Sequence, residues 1–132
     1  MTIQYGTTLR NNKLDQVEST TGTAAKLQLR TGAQPANCAA ADSGTLICEI
    51  TLPSDYMNAA SGGTKTLLGT WQGTCVAAGT IAHFRLKDNA GTTCHMQGSV
   101  GVGSGDMQVD NNVAAVSQVV TVTAFTLTAG NP

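Results

Sequence analysis

The stretch "HFRLKDNAGTTCHMQG", residues 83–98, gathers both histidines of the chain with a cysteine, an arginine, a lysine and an aspartate. These residue types can build a Cys–His nucleophile or a zinc site, so their spacing has to decide. Cys94 and His95 are neighbours, and in a strand neighbouring side chains leave on opposite faces. A thiol cannot pass its proton to an imidazole on the far side of a sheet. His83 and His95 could share one face, but zinc sites use at least three protein ligands, and Arg85 would repel a cation beside His95.

The rest of the chain offers no stronger chemistry. There is no G-x-S-x-G elbow for a serine hydrolase. In "GVGSGD" the glycines fall at 101, 103 and 105, which does not satisfy G-x-G-x-x-G, and "GGTKT" lacks the adjacent Gly-Lys of a phosphate loop. Asp106, Asp110, Asn111 and Asn112 do not follow calcium-loop spacing and read as turn residues. The 8 acidic residues give no signal for a paired-carboxylate hydrolase. Trp71, Tyr5 and Tyr56 could stack on a sugar, although core packing is the simpler role for Trp71. The expectation is a protein that is not an enzyme, with no catalytic, cofactor-binding or metal-binding residues.

The elements that carry residues 83–98 read as a β-hairpin. Ala82, Phe84 and Leu86 alternate with His83, Arg85 and Lys87; Cys94, Met96 and Gly98 alternate with His95 and Gln97. "DNAG" suits a type I turn followed by Gly91 in the left-handed region. A three-residue loop, 89–91, then pairs Leu86 with Cys94 and Phe84 with Met96, placing both apolar sets on one side. His83 falls opposite Gln97 and His95 opposite Arg85. The polar set is expected to face outward.

Around the hairpin, "TTLRNNKLDQVEST" carries Leu9, Leu14 and Val17 at the spacing of a short amphipathic helix, with Thr7 or Thr8 as its cap. From Gly22 onward the pattern is β. "AKLQLRTG" alternates, "GAQPANCAAADSG" is a loop, and "GTLICEITLP" is a strand stopped by Pro53. Residues 54–66 form a small-residue excursion whose only large side chains are Tyr56 and Met57. A strand around Trp71, a short strand "MQV" and the closing strand "SQVVTVTAFTLT" follow; the last shifts phase near Ala124, where a β-bulge would restore the inner face. The fold class expected is mostly β, a β-sandwich or jelly roll with one short N-terminal helix. It forms a single domain over residues 1–132, with 1–6 a candidate extended arm.

Composition narrows the partners. Of 132 residues only 11% are charged, against roughly 25% in ordinary soluble domains. Weak charge repulsion favours a protein that lives against copies of itself or another chain. Net charge is −1 and the 7 basic residues form no stripe, so nucleic-acid binding is not expected. No apolar run is long enough for a membrane span, and "MTIQYGTTLRNN" does not read as a secretory signal, which points to synthesis in the cytoplasm. Cys38, Cys48, Cys75 and Cys94 form no C-x-x-C. Cys48 shares the alternating face of Leu46, Ile50 and Leu52 and reads as a small buried hydrophobe. Reduced structural thiols are expected, with one disulfide or a zinc site as the open alternatives.

Taken in order, "LRNNKLDQV", "AKLQLRTGAQPA", "GTWQG", "AAGTIAHFRLKDNAGT", "GSVGVGSGDMQVDNN" and "VVTVTAFTLT" resemble a group of small virion proteins of tailed bacteriophages, similar to capsid cement or head-decoration proteins. The resemblance covers nearly the whole chain and carries no catalytic residues. It implies a structural protein at the capsid surface, synthesised in the host cytoplasm. Such a protein would bind the major capsid protein, associate with itself as a dimer or trimer, and stabilise the head without cofactors. Another virion component (tail, neck or adaptor) and a carbohydrate-binding or adhesin module are the alternatives. The candidate partner-binding residues are Ile3, Tyr5 and Arg10 in and beside the N-terminal segment, and Tyr56 and Met57 in the 54–66 excursion.

Overall fold

A computed structural model describes residues 3–130. It contains one helix, α1 (Thr7–Thr21), and nine strands: β1 (Lys26–Thr31), β2 (Leu46–Thr51), β3 (Thr64–Thr66), β4 (Gln72–Thr74), β5 (Gly79–Lys87), β6 (Cys94–Gly101), β7 (Met107–Val109), β8 (Val113–Ala114) and β9 (Val119–Thr128). The mostly β class with a single N-terminal helix is as the patterning indicates. The strands form a curled mixed sheet in the order β2-β1-β5-β6-β7-β9-β3, with β4 also beside β9 and β8 beside β5. Among the described residues, β6 and β7 are the one parallel pair.

The curl brings the first strand back towards the last ones. Cys48 on β2 and Cys75, just after β4, form a single antiparallel bridge, and the Val76 amide donates to the Ile47 carbonyl at 2.8 Å. The strands thus make a half-barrel whose open seam is tied at one point. Its concave face is apolar: Leu27, Leu29, Cys48, Ile50, Phe84 and Leu86 are at most 2% exposed. Tyr56, Trp71, Phe125 and Phe84 form a contact chain through this core, with ring centroids 5.9, 5.8 and 5.5 Å apart in turn. Four of the five aromatic side chains are therefore core residues. Each fully buried ring contributes about 1.5–3 kcal/mol of apolar transfer.

The helix differs from its expectation in one detail. Gly6 is the N-cap and makes no side-chain bond, while Thr7 and Thr8 lie inside the first turn. The apolar stripe is thin: only Leu14 and Thr21 are buried, and Leu9 stands exposed. Apolar packing alone does not fix this helix to the sheet; its polar side chains do, as shown below. Ile3 to Gly6 have no strand pairing, and residues 1–2 of the candidate arm lie outside the described residues.

The closing strand bends where its phase changes. Gln108 pairs with Ala124 but Val109 pairs with Val122, so Thr123 is the extra residue of a bulge and Phe125 regains the inner face after Val122.

Candidate functional site

The hairpin of β5 and β6 carries the residues best equipped for chemistry, and its register is not the expected one. Gly91 adopts φ +72°, and its amide donates to the Asp88 carbonyl at 2.9 Å, as the DNAG turn predicts. The loop is one residue longer, because the Asp88 amide donates to the Thr93 carbonyl while the Asp88 carboxylate accepts from the Thr92 and Thr93 amides. A bulge at His95 compensates: Lys87 pairs with Cys94, then Leu86 with Met96, Arg85 with Gln97 and His83 with Ser99. Phe84 and Leu86 keep the inner face. Cys94 does not; it lies across from Lys87 on the polar side.

The larger correction concerns that polar side. His83, Arg85 and Lys87 are 1%, 1% and 4% exposed, not solvated. The loop over residues 32–45 folds back across the convex face of β1, β5 and β6 and covers it. This loop has almost no backbone pairing of its own, so its carbonyls need donors, and the strands supply them. Arg85 donates through Nη1 to Ala40 O at 3.0 Å and through Nη2 to Cys38 O at 2.9 Å. Arg30 Nε reaches Ser43 O at 3.0 Å, Gln97 Nε2 reaches Pro35 O at 2.7 Å, and His83 Nδ1 meets Gly32 O at 2.9 Å. The last contact requires the proton on Nδ1 of the ring. Alternation told the two faces apart but could not reveal that a loop, not water, lies over the second one.

One carboxylate organises these cations. Asp42, on the loop, accepts from Arg85 Nη1 and Lys87 Nζ, each at 2.6 Å, with Arg30 Nη1 at 3.8 Å. Burial would raise the Asp42 pKa, but the bonds from Lys87 and Arg85 outweigh it and hold the carboxyl below its usual range. Burial would likewise depress the Arg85 guanidinium, and contacts with Cys94 and Asp42 more than offset this. Below the loop, Gln28 Nε2 donates to Glu49 Oε2 at 2.9 Å, and Arg30 Nη1 donates to Gln28 Oε1 at 2.8 Å. A cavity of about 270 Å³ opens beside Asp42, Arg85 and Lys87, with Cys38, Thr92 and Cys94 also on its wall. Among the described residues, His83 Nε2, Arg85 Nε and Gln97 Oε1 are buried without a hydrogen-bond partner.

The two histidines do not converge. His83 is enclosed at Gly32, whereas His95 is exposed and lines a groove against Lys13, Gln16 and Val17 of α1. Among the described residues no three His, Cys, Asp or Glu side chains are placed to hold a metal ion. What the layer does hold is a loop, through donors on the strands and the Asp42 carboxylate.

A second ionic cluster joins α1 to residues 56–65. Lys65, 2% exposed, donates to Asp15 at 2.7 Å, to Glu18 at 3.0 Å and to Asn58 O at 2.9 Å. Burial would lower the Lys65 pKa, but Asp15 and Glu18 raise it above its ordinary value. The acids also accept backbone N–H groups. Glu18 Oε2 takes those of Tyr56 and Met57 at 3.2 and 3.3 Å, and Asp15 Oδ1 takes that of Ala60 at 2.9 Å. Asn11 Oδ1 takes that of Gly63 at 2.8 Å.

The candidate partner-binding residues separate into two groups. Tyr56 and Met57 are 0% and 1% exposed, which corrects their assignment to a partner surface. Glu18 holds their amides while Tyr56 packs on Trp71, so both side chains turn into the core. Burial of Trp71 and Tyr56 also removes the aromatic platform that a carbohydrate-binding module would present. Arg10 is half-buried and donates from Nε to Ala129 O at 2.9 Å, over Gly63, where a Cβ would collide with the guanidinium. Tyr5 lies beside Lys13, whose Nζ is 4.3 Å from the ring centroid. Ile3 alone is strongly exposed, at 72%.

No protein-family model, curated protein or solved structure matches the chain.

Proposed function

We propose that this chain is a structural virion protein, a capsid cement or decoration protein that binds the major capsid protein lattice and associates with itself. The observation that carries this reading is an exposed apolar end. Val76, Val113, Val116 and Val119 are 66%, 63%, 61% and 50% exposed. They sit on adjoining segments: Thr80 pairs with Val113, Thr74 pairs with Val119, and the Ser117 amide donates to the Cys75 carbonyl at 2.8 Å. Exposed apolar side chains gathered at one end of a weakly charged domain suit burial against a neighbour.

The polar clusters support the same reading from the other side. Their charged groups hold loops, which suits a rigid protein that works by contact rather than by turnover. Many such contacts repeated over a lattice act together, so each can be weak. We read the curled sheet as an open relative of the sandwich or jelly roll, in which the sheet curls over its own apolar face while the 32–45 loop covers the opposite, convex face.

Cross-linking mass spectrometry on purified virions tests the proposal. Lys13 is the exposed lysine to watch, because Lys65 and Lys87 are buried. Links from Lys13 to the major capsid protein are expected; links only to tail, neck or adaptor proteins would overturn the capsid assignment.

A further inference from the structure

The four cysteines are all free, yet they fall into two pairs of very different surroundings. Cys48 and Cys75 face each other across the seam, 0% and 2% exposed. Burial pushes the Cys48 thiol up to about 12 and also raises that of Cys75. The second pair joins the covering loop to the hairpin. Cys38 on the loop and Cys94 on β6 are both half-buried and share the wall of the 270 Å³ cavity. Arg85 lines the same cavity, and its Nη2 donates to the Cys38 carbonyl at 2.9 Å.

We propose that Cys38 and Cys94 are a reversible dithiol–disulfide site that locks the 32–45 loop onto the hairpin. The bulge at His95 makes the site, since it turns Cys94 to the polar face. An expected oxidant class is a low-molecular-weight disulfide. One of the two thiols loses its proton, and its thiolate attacks the oxidant, forming a mixed disulfide and releasing one reduced thiol. The second thiolate attacks that mixed disulfide at the protein sulfur, forming the Cys38–Cys94 bond and releasing the second reduced thiol. Two protein thiols are oxidised, one disulfide is reduced, and the Arg85 guanidinium stabilises the thiolate in each step. Burial and the neighbouring Cys94 raise the Cys38 pKa, so closure should be slow at neutral pH and faster in alkali. The seam pair has no such access in the folded chain.

The test is treatment of the native full chain with oxidised glutathione, followed by intact mass and non-reducing peptide mapping. The expected product has lost two hydrogen atoms, links Cys38 to Cys94, and keeps Cys48 and Cys75 alkylatable only after denaturation. Cys94→Ser should instead retain one glutathione on Cys38, because no resolving thiol remains. Glutathione adducts that persist on the wild-type chain would overturn the proposal. So would a bond using Cys48 or Cys75, or no loss of thiols at all.

Discussion

Two stretches of irregular chain, 32–45 and 54–63, are held by polar side chains of opposite kind, donors for the first and acceptors for the second. The first presents carbonyls to the sheet and is gripped by the donors Arg30, His83, Arg85 and Gln97. The second presents amides to α1 and is gripped by the acceptors Asn11, Asp15 and Glu18. Each cluster holds a counter-ion on the gripped side: Asp42 on the first loop, Lys65 just after the second. The sign of the clamp follows from which backbone group is left without a partner. They also differ in depth. Arg85 and Lys87 are enclosed, whereas the Asp15 side chain is 44% exposed.

That difference ranks the ways to break the clamps. Asp42→Asn leaves two enclosed cations without their carboxylate and should cost about 3–5 kcal/mol, read from urea unfolding. Lys65→Met leaves carboxylates that can relax towards water, so the same titration should show a smaller loss, about 1–3 kcal/mol. Glu18→Gln keeps an acceptor for Tyr56 and Met57 but weakens it, and about 1 kcal/mol is expected.

Acidity acts on both clamps with one sign. Asp15 and Asp42 have folded pKa values below the ordinary 3.8, so their stabilisation is complete above that value and is lost as pH falls through the folded values. Lys65 is raised above 10.5, so its contribution is complete below that pH and fades only as pH rises beyond it. Thermal melts should therefore be level in between as far as these groups are concerned. Asp42→Asn should lose less than the wild type on acidification, since one titrating group has gone. At the far end of the scale, Val116→Thr should change stability by less than about 0.5 kcal/mol. It should nonetheless weaken binding to the capsid lattice in a co-sedimentation assay.

Much of the fold was legible because its signals are local. The α1 helix, the Leu-x-Leu strand, the DNAG turn and the phase change near Ala124 each depend on a few neighbouring residues. The hairpin register was not fixed by them, because a loop one residue longer plus a bulge at His95 leaves Phe84 and Leu86 on the same face. Tyr56 and Met57 were misplaced for a related reason: small neighbours suggest an open loop, but the Glu18 contact that turns them inward comes from 38 positions away. The buried polar layer was the least legible feature. A usable signal was present all the same, since a chain with 7 basic residues sets His83, Arg85 and Lys87 on one face of one strand and Arg30 on another. The loop over residues 32–45, with Asp42 as its one acidic residue and few pairing options, follows directly on the strand that carries Arg30.

The central claim, that the charged layers act as two separate loop clamps, is tested most directly by limited elastase digestion of Asp42→Asn and Lys65→Met, mapped by mass spectrometry. The expected result is a crossover: new cuts within 32–45 in the first variant and within 54–63 in the second, each leaving the other loop protected. Identical cutting patterns in the two variants would contradict it.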